Sequence, residues 1–181
     1  VSVCLLAAAF PAGAIVIYDN GPADGQQGWV SDPSWGYRNA DDFVLQDGAN
    51  VAGGLHWWGL YYFDDPPDAD TFTLSLFEND PNRMLPGAQL DSLTATDVTR
   101  TFAWRPEGAA WNIYEYSVAF DPIEFQADTT YWLEIASGNG WCWATSDYLA
   151  GPHAHIGLYG ADWVQASGDM AFNITDAAVP E

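Results

Sequence analysis

A chain of 181 residues supports one domain with its own core and needs no disulfide staples to hold it. Asp and Glu number 25 against 4 for Lys and Arg, with no lysine at all, so the formal net charge is -21. Such a surface repels phosphate backbones, which argues against nucleic acid as a partner. It also repels itself: the charge keeps the molecule dissolved while straining the compact state, and divalent cations or high salt would relieve the strain.

Residues 1–14, VSVCLLAAAFPAGA, form an uncharged apolar run that ends in the small residues Ala12-Gly13-Ala14. That A-x-A arrangement is what a signal peptidase reads, so the segment is expected to be a signal peptide lacking its start. Val3 stands before Cys4 where a lipobox needs a small residue, so lipidation is not expected. Loss of the leader removes Cys4 and leaves Cys142 as one unpaired thiol, which excludes an internal disulfide. No other run reaches the length of a transmembrane helix.

From residue 15 to 175 the pattern is apolar-polar alternation, with little trace of helical spacing. FTLSL puts Phe72, Leu74 and Leu76 on one face, and IYEYSVAF groups Tyr114, Tyr116, Val118 and Phe120. TYWLEIA sets Tyr131, Leu133 and Ile135 against Trp132 and Glu134, and DMAFNIT aligns Met170, Phe172 and Ile174. Each reads as a half-buried strand. Between them fall DNGPADG, QDGANVAGG, DDPPDAD, ENDPNRMLPG, ASGNG and LAGPHA, clusters of Gly, Pro, Asp and Asn that start turns. The expectation is an all-β fold, an antiparallel, jelly-roll-like β-sandwich in a single domain, followed by a linker over residues 176–181.

The run from Leu55 to Phe63 is expected to be a strand with two apolar faces, Leu55, Trp57, Tyr61 and Phe63 opposite His56, Trp58, Leu60 and Tyr62. The face carrying His56, Trp58 and Tyr62 is the candidate for exposure. Trp132 and Glu134 could join it, as could Trp141 and Trp143 if Cys142 and Ala144 point inward. Exposed indoles stack on the apolar C–H faces of sugars, and a neighbouring carboxylate accepts hydroxyl hydrogen bonds, so these seven residues form a candidate carbohydrate platform. The other reading is that a tryptophan-rich sandwich uses them as packing. Two loops offer carboxylates with no lysine competing: Asp19, Asn20 and Asp24 in the first, Asp64, Asp65, Asp68 and Asp70 in the second. They could hold a structural calcium ion, which takes six to eight oxygens, or be solvated turns; neither has EF-hand spacing.

Catalytic constellations are scarce. There is no G-x-S-x-G. His153 and His155 stand two apart and share a strand face, but HAHIGLYGAD supplies no following glutamate of the kind an H-x-H metal site uses. Glu115 and Glu134 could be a glycosidase pair only if they face one cleft at about 5–9.5 Å.

Several strings carry a resemblance in their succession: ADDFVL at 40–45, LHWWGLYY at 55–62, FTLSLFENDPNRMLPG at 72–87, YEYSVAF and YWLEIAS between 114 and 137, WCWATS at 141–146 and DMAFNIT at 169–175. In that order the chain resembles exported bacterial β-sandwich proteins that carry a PEP-CTERM sorting signal. That signal opens with Val-Pro-Glu-Pro, and Val179-Pro180-Glu181 matches its start; the helix and basic cluster that complete it are not in this sequence. The resemblance implies cutting by an exosortase-type enzyme and display or release outside a Gram-negative cell that makes exopolysaccharide. The expected function is thus a non-catalytic cell-surface or extracellular-matrix protein with weak glycan contact. A dedicated carbohydrate-binding module, or an enzyme using Glu115 and Glu134 or His153 and His155, are the alternatives.

Overall fold

The alternating segments form thirteen strands among the described residues, which in this computed structural model are 14–63, 65–148, 151–157, 160 and 162–176. They are β1 (Val16–Asp19), β2 (Ala23–Val30), β3 (Arg38–Val44), β4 (Val51–Tyr61), β5 (Phe72–Asp80), β6 (Leu85–Ala95) and β7 (Thr99–Trp104). There follow β8 (Ile113–Glu124), β9 (Thr130–Ala136), β10 (Trp141–Ser146), β11 (Pro152–Ile156), β12 (Val164–Ser167) and β13 (Phe172–Asp176). Residues 1–13 of the expected leader and the residues after Asp176 lie outside the described residues. No helix among the described residues is long and apolar enough to cross a membrane.

The strands make two antiparallel sheets packed face to face. In the first, β4 is flanked on one side by β8 and then β7, and on the other by β13 and β10, which share its length and carry β1 and β2 in turn. The second runs β12-β11-β3-β9-β5-β6. All-β sandwich architecture, expected from the alternation, is what the chain adopts.

One ring from the second sheet anchors the two layers. Phe72 on β5 is fully buried and meets Trp57 (centroids 5.0 Å, 82°), Tyr116 (5.0 Å, 68°) and Trp141 (5.0 Å, 82°), one each from β4, β8 and β10. These edge-to-face contacts place the positive ring edge on a negative face and add to the area term. Trp57 and Tyr116 stack nearly parallel at 14° as cross-strand partners, which fixes the register of β4 on β8.

The outer faces are covered too. Over the first sheet, Trp58, Leu60, Ile113, Cys142, Ala144 and Ala171 form a second apolar cluster capped by Val30, Trp104 and Trp111. Over the other, Phe77, Leu85, Trp132, Ala154 and Trp163 form a third. The strand read as Leu55–Phe63 in fact starts at Val51 and ends at Tyr61, so Tyr62 and Phe63 belong to the turn that follows.

Because Phe72 fills a socket of three rings, Phe72→Ala should destabilise the fold by about 3–5 kcal/mol. Urea unfolding followed by near-ultraviolet circular dichroism reads the loss, and an unchanged midpoint would contradict this account of the core.

Candidate functional site

The structure corrects the tryptophan platform. Trp58 is 5 % exposed, Trp132 2 %, and Trp141 and Trp143 0 %. On β10 the phase is the reverse of the one that would expose indoles: Trp141 and Trp143 face the space between the sheets, while Cys142 and Ala144 point outward under the second cluster. All six β10 residues are buried, so alternation there carries no signal of inside and outside. Burial also pushes the Cys142 thiol up to about 12, with Asp32 adding to the shift. Trp132 donates from Nε1 to Asn79 Oδ1 at 3.1 Å beneath its own cluster.

Glu134 is not free to accept from a sugar. It is buried and gripped by Arg38 in a bidentate pair, Nε to Oε1 at 2.5 Å and Nη2 to Oε2 at 2.6 Å, and the guanidinium lies over Trp163 at 5.1 Å. Glu115 projects from the opposite outer face, where it accepts from Trp58 Nε1 at 3.1 Å and lies 3.9 Å from Nε2 of half-buried His56. Burial lowers the His56 pKa and Glu115 opposes the shift. Since the sheets themselves stack about 10 Å apart, two carboxylates on opposite outer faces do not share one cleft. The glycosidase pairing is thereby corrected.

His153 and His155 are likewise committed to packing. His153 Nδ1–H donates to Gly168 O at 2.7 Å, His155 Nδ1 bonds Asn39 Oδ1 at 2.9 Å, and both rings rest against Trp29. Burial lowers both pKa values. No third ligand completes a site there: among the described residues no group of three His, Cys, Asp or Glu is placed to hold a metal.

The aspartate loops spend their oxygens on their own turns. Asp19 accepts from Gly21 N, and Asp24 accepts from Gln26 N and Thr145 Oγ1. Asn20 turns its amide nitrogen inward to Asp41 Oδ2 and Met170 O, both at 2.9 Å. In the second loop Asp64 lies outside the described residues, Asp65 and Asp68 are exposed, and buried Asp70 accepts from Tyr61 Oη (2.6 Å) and Arg100 Nη1 (3.0 Å). Among the described residues no three of these carboxylates are placed to hold a metal, so of the two readings of these loops the hydrogen-bonded or solvated turn is the one the structure supports.

What the structure does assemble is a different aromatic surface. Tyr62 and Phe63 are 61 % and 69 % exposed and meet half-buried Trp35 edge-on, with centroids 6.3 and 5.9 Å from the indole. Beside them opens a depression of ≈ 470 Å³ lined by Ser34, Trp35, Phe63, Asp65, the Pro66-Pro67 pair and Asn139. Of the expected platform, Tyr62 alone belongs to it. Its assembly depends on Gly140. In the Asn139-Gly140 turn both residues have positive φ, 59° and 68°, a left-handed conformation that Asn and Gly adopt most readily, in the connection that crosses from β9 in the second sheet to β10 in the first. Gly140 N donates to buried Asp32 Oδ2 (2.9 Å), its carbonyl accepts from Tyr62 N (3.0 Å), and any Cβ there would fall 2.7 Å from the Trp35 ring. Asp32 meanwhile caps the short 3-10 turn Pro33–Trp35 through Ser34 N. Three loops distant in sequence are thus tied together under the rings. Trp35 and Asn139 escape strand-based reasoning because neither lies in a strand, and Phe63, expected on the inward face of the Leu55–Phe63 strand, lies in the turn past its end.

A buried carboxyl lies between the sheets nearby in the chain but apart from this surface. Asp41 is 1 % exposed and accepts from Asn20 Nδ2, Met170 N (2.6 Å) and Asp42 N (3.0 Å). Burial raises its pKa well above the usual range; the Met170 and Asp42 amides pull it back, while Asp169 and Asp42 push it further up. A raised folded pKa means that the folded state holds this proton more tightly than the unfolded chain. The contribution to stability is therefore complete below about pH 4 and is lost as pH rises through the folded value. At fixed ionic strength the unfolding free energy should fall as pH rises above about 4, and Asp41→Asn should flatten that slope even where it lowers the absolute stability. Parallel slopes for the two proteins in denaturant titrations would count against this assignment.

No curated protein and no solved structure matches the chain. The family model for a domain of unknown function, DUF7901, matches residues 16–175, from the start of β1 to the penultimate residue of β13. The whole sandwich, the ring surface included, is that domain, and the chain belongs to the DUF7901 family.

Proposed function

We propose that the protein is a non-catalytic, exported cell-surface or matrix protein of a Gram-negative bacterium, associated with exopolysaccharide through weak contacts at the Trp35–Tyr62–Phe63 surface. The observation that carries the glycan contact is the exposure of two rings beside a polar-edged depression, where Ser34, Asp65 and Asn139 can exchange hydrogen bonds with hydroxyls. Export is supported by the apolar leader and by the resemblance to proteins bearing a PEP-CTERM signal, whose exosortase-type processing enzyme would be a partner of the full-length chain. The absence of convergent acid, base and nucleophile among the residues weighed above supports a binding role over an enzymatic one.

Charge selects the glycan. No arginine lines the depression and Asp65 stands at its edge, so uronate-rich polymers are repelled, whereas neutral or amino-bearing glycans are not. Affinity electrophoresis should detect retardation by a neutral β-glucan or by chitosan and none by alginate. Trp35→Ala or Phe63→Ala should weaken binding about tenfold, the upper end for one aromatic contact. Retention of both variants equal to that of the parent would refute this surface.

The leader reading has its own check. Ile15 follows the A-x-A triplet, and its N–H and C=O both pair with Asp176, so a cut after Ala14 leaves β1 and its pairing with β13 intact. Expression behind a complete signal peptide in a Gram-negative host should yield a periplasmic or released protein whose intact mass begins at Ile15. Uncut cytoplasmic protein would dismiss export.

A further inference from the structure

The sandwich is not filled everywhere. Between the sheets, where edge strand β6 faces β8, lies a cavity of ≈ 80 Å³. Its floor is apolar and buried, made by Phe43, Leu55, Leu74, Phe125, Leu133 and Ile174. Its mouth reaches solvent between Leu93, 42 % exposed, and the half-buried Phe120 and Ile123. A void lined by leucine and phenylalanine stays dry, and it leaves its lining without contacts on one side, so an apolar guest that fits gains the missing dispersion and loses its own hydration. The volume is about half that of an engineered cavity of ~150 Å³ that admits benzene, which limits the guest to a short chain.

The mouth adds a second constraint. Its ionisable group is Asp91, on the inward-facing side of β6 two residues from Leu93; none of the four arginines lines the cavity. A carboxylate or phosphate head would be held against Asp91 on a molecule of formal charge -21. We propose that this cavity is a binding site for the short alkyl tail of a neutral or cationic amphiphile, with its head at Asp91. The site is separate from the Trp35–Tyr62–Phe63 surface and does not rest on the glycan reading.

The probes are 1-alkanols from ethanol to octanol, then the alkylammonium and alkanoate of the best length, added to the folded protein below their aggregation limits. Affinity should tighten about fourfold per methylene, the equivalent of about 0.8 kcal/mol per buried CH₂, and then stop improving once the cavity is full. Methyl NMR shifts should concentrate at Leu55, Leu74, Leu133 and Ile174. The ammonium should bind more tightly than the alkanol and the alkanoate more weakly, with Asp91→Asn closing that gap. Leu93→Trp, at an exposed edge position, should shut the mouth and abolish binding, while Trp35→Ala should leave it unchanged. Affinity indifferent to chain length, shifts scattered over the surface, or the same head-group order after Asp91→Asn would each overturn the proposal. Should Leu93→Trp fail to fold by circular dichroism, the Asp91→Asn series decides alone.

Discussion

Everything in the molecule hangs on the insertion of Phe72 between Trp57, Tyr116 and Trp141. No backbone ladder joins the two layers of a sandwich, so side-chain contacts largely set how the sheets sit on one another. Here one ring of the second sheet enters a socket built by three strands of the first, and edge-to-face geometry resists sliding in a way that interchangeable aliphatic side chains do not. The polar knot of Tyr61, Asp70 and Arg100 closes one side of the same socket, since Tyr61 continues the inward face of β4 and Arg100 lies over Tyr114 at 5.5 Å. The apolar cavity lies elsewhere between the sheets, lined by aliphatic side chains and by phenylalanines other than Phe72.

Aromatic abundance explains both the stability of the layers and the failure of the tryptophan platform. Of the ten tryptophans, Trp57, Trp141 and Trp143 are the fully buried ones in the interlayer core. Others are laid over the outer faces, Trp58 beneath Trp104 and Trp111 on one side, Trp132 beside Trp163 on the other. The indole N–H groups of Trp58 and Trp132 find local partners there, Glu115 and Asn79, so desolvating these two carries no unmet hydrogen bond, whereas Trp111 Nε1 is buried without one. At Tyr62 and Phe63 the strand has ended and a turn throws the rings outward, whereas Phe102 stays exposed on edge strand β7.

This sets the boundary of what the sequence could reveal. FTLSL, IYEYSVAF and TYWLEIA announce their strands because one side of each is distinctly more apolar, and the sandwich follows from their number and spacing. WCWATS announces a strand but not its phase, because Trp, Cys and Ala are all acceptable under cover. The aspartate runs look like ligand sets in one dimension; in three, Asp19 and Asp24 fold back on their own amides and Asp70 is neutralised by an arginine thirty residues on. The ring surface was invisible for the opposite reason. Asp32 and Gly140 are 108 residues apart, and no local pattern links them.

The distribution of positive charge ties fold to function. Each of the four arginines is engaged by the fold: Arg38 by Glu134, Arg100 by Asp70 and the Pro67 carbonyl, Arg83 by the Trp163 carbonyl, and Arg105 by Asn112. Two of them neutralise carboxylates that would otherwise be buried without a counter-charge, where an uncompensated ion is most destabilising. The cations are therefore consumed in holding the sandwich together, and the surface keeps almost none with which to attract an anion. A protein so arranged meets its surroundings through rings, hydroxyls and carboxylates. Both the ring surface and the interlayer cavity accordingly favour partners without negative charge, a condition that the two proposed ligands, a neutral or amino-bearing glycan and a short hydrocarbon tail, meet.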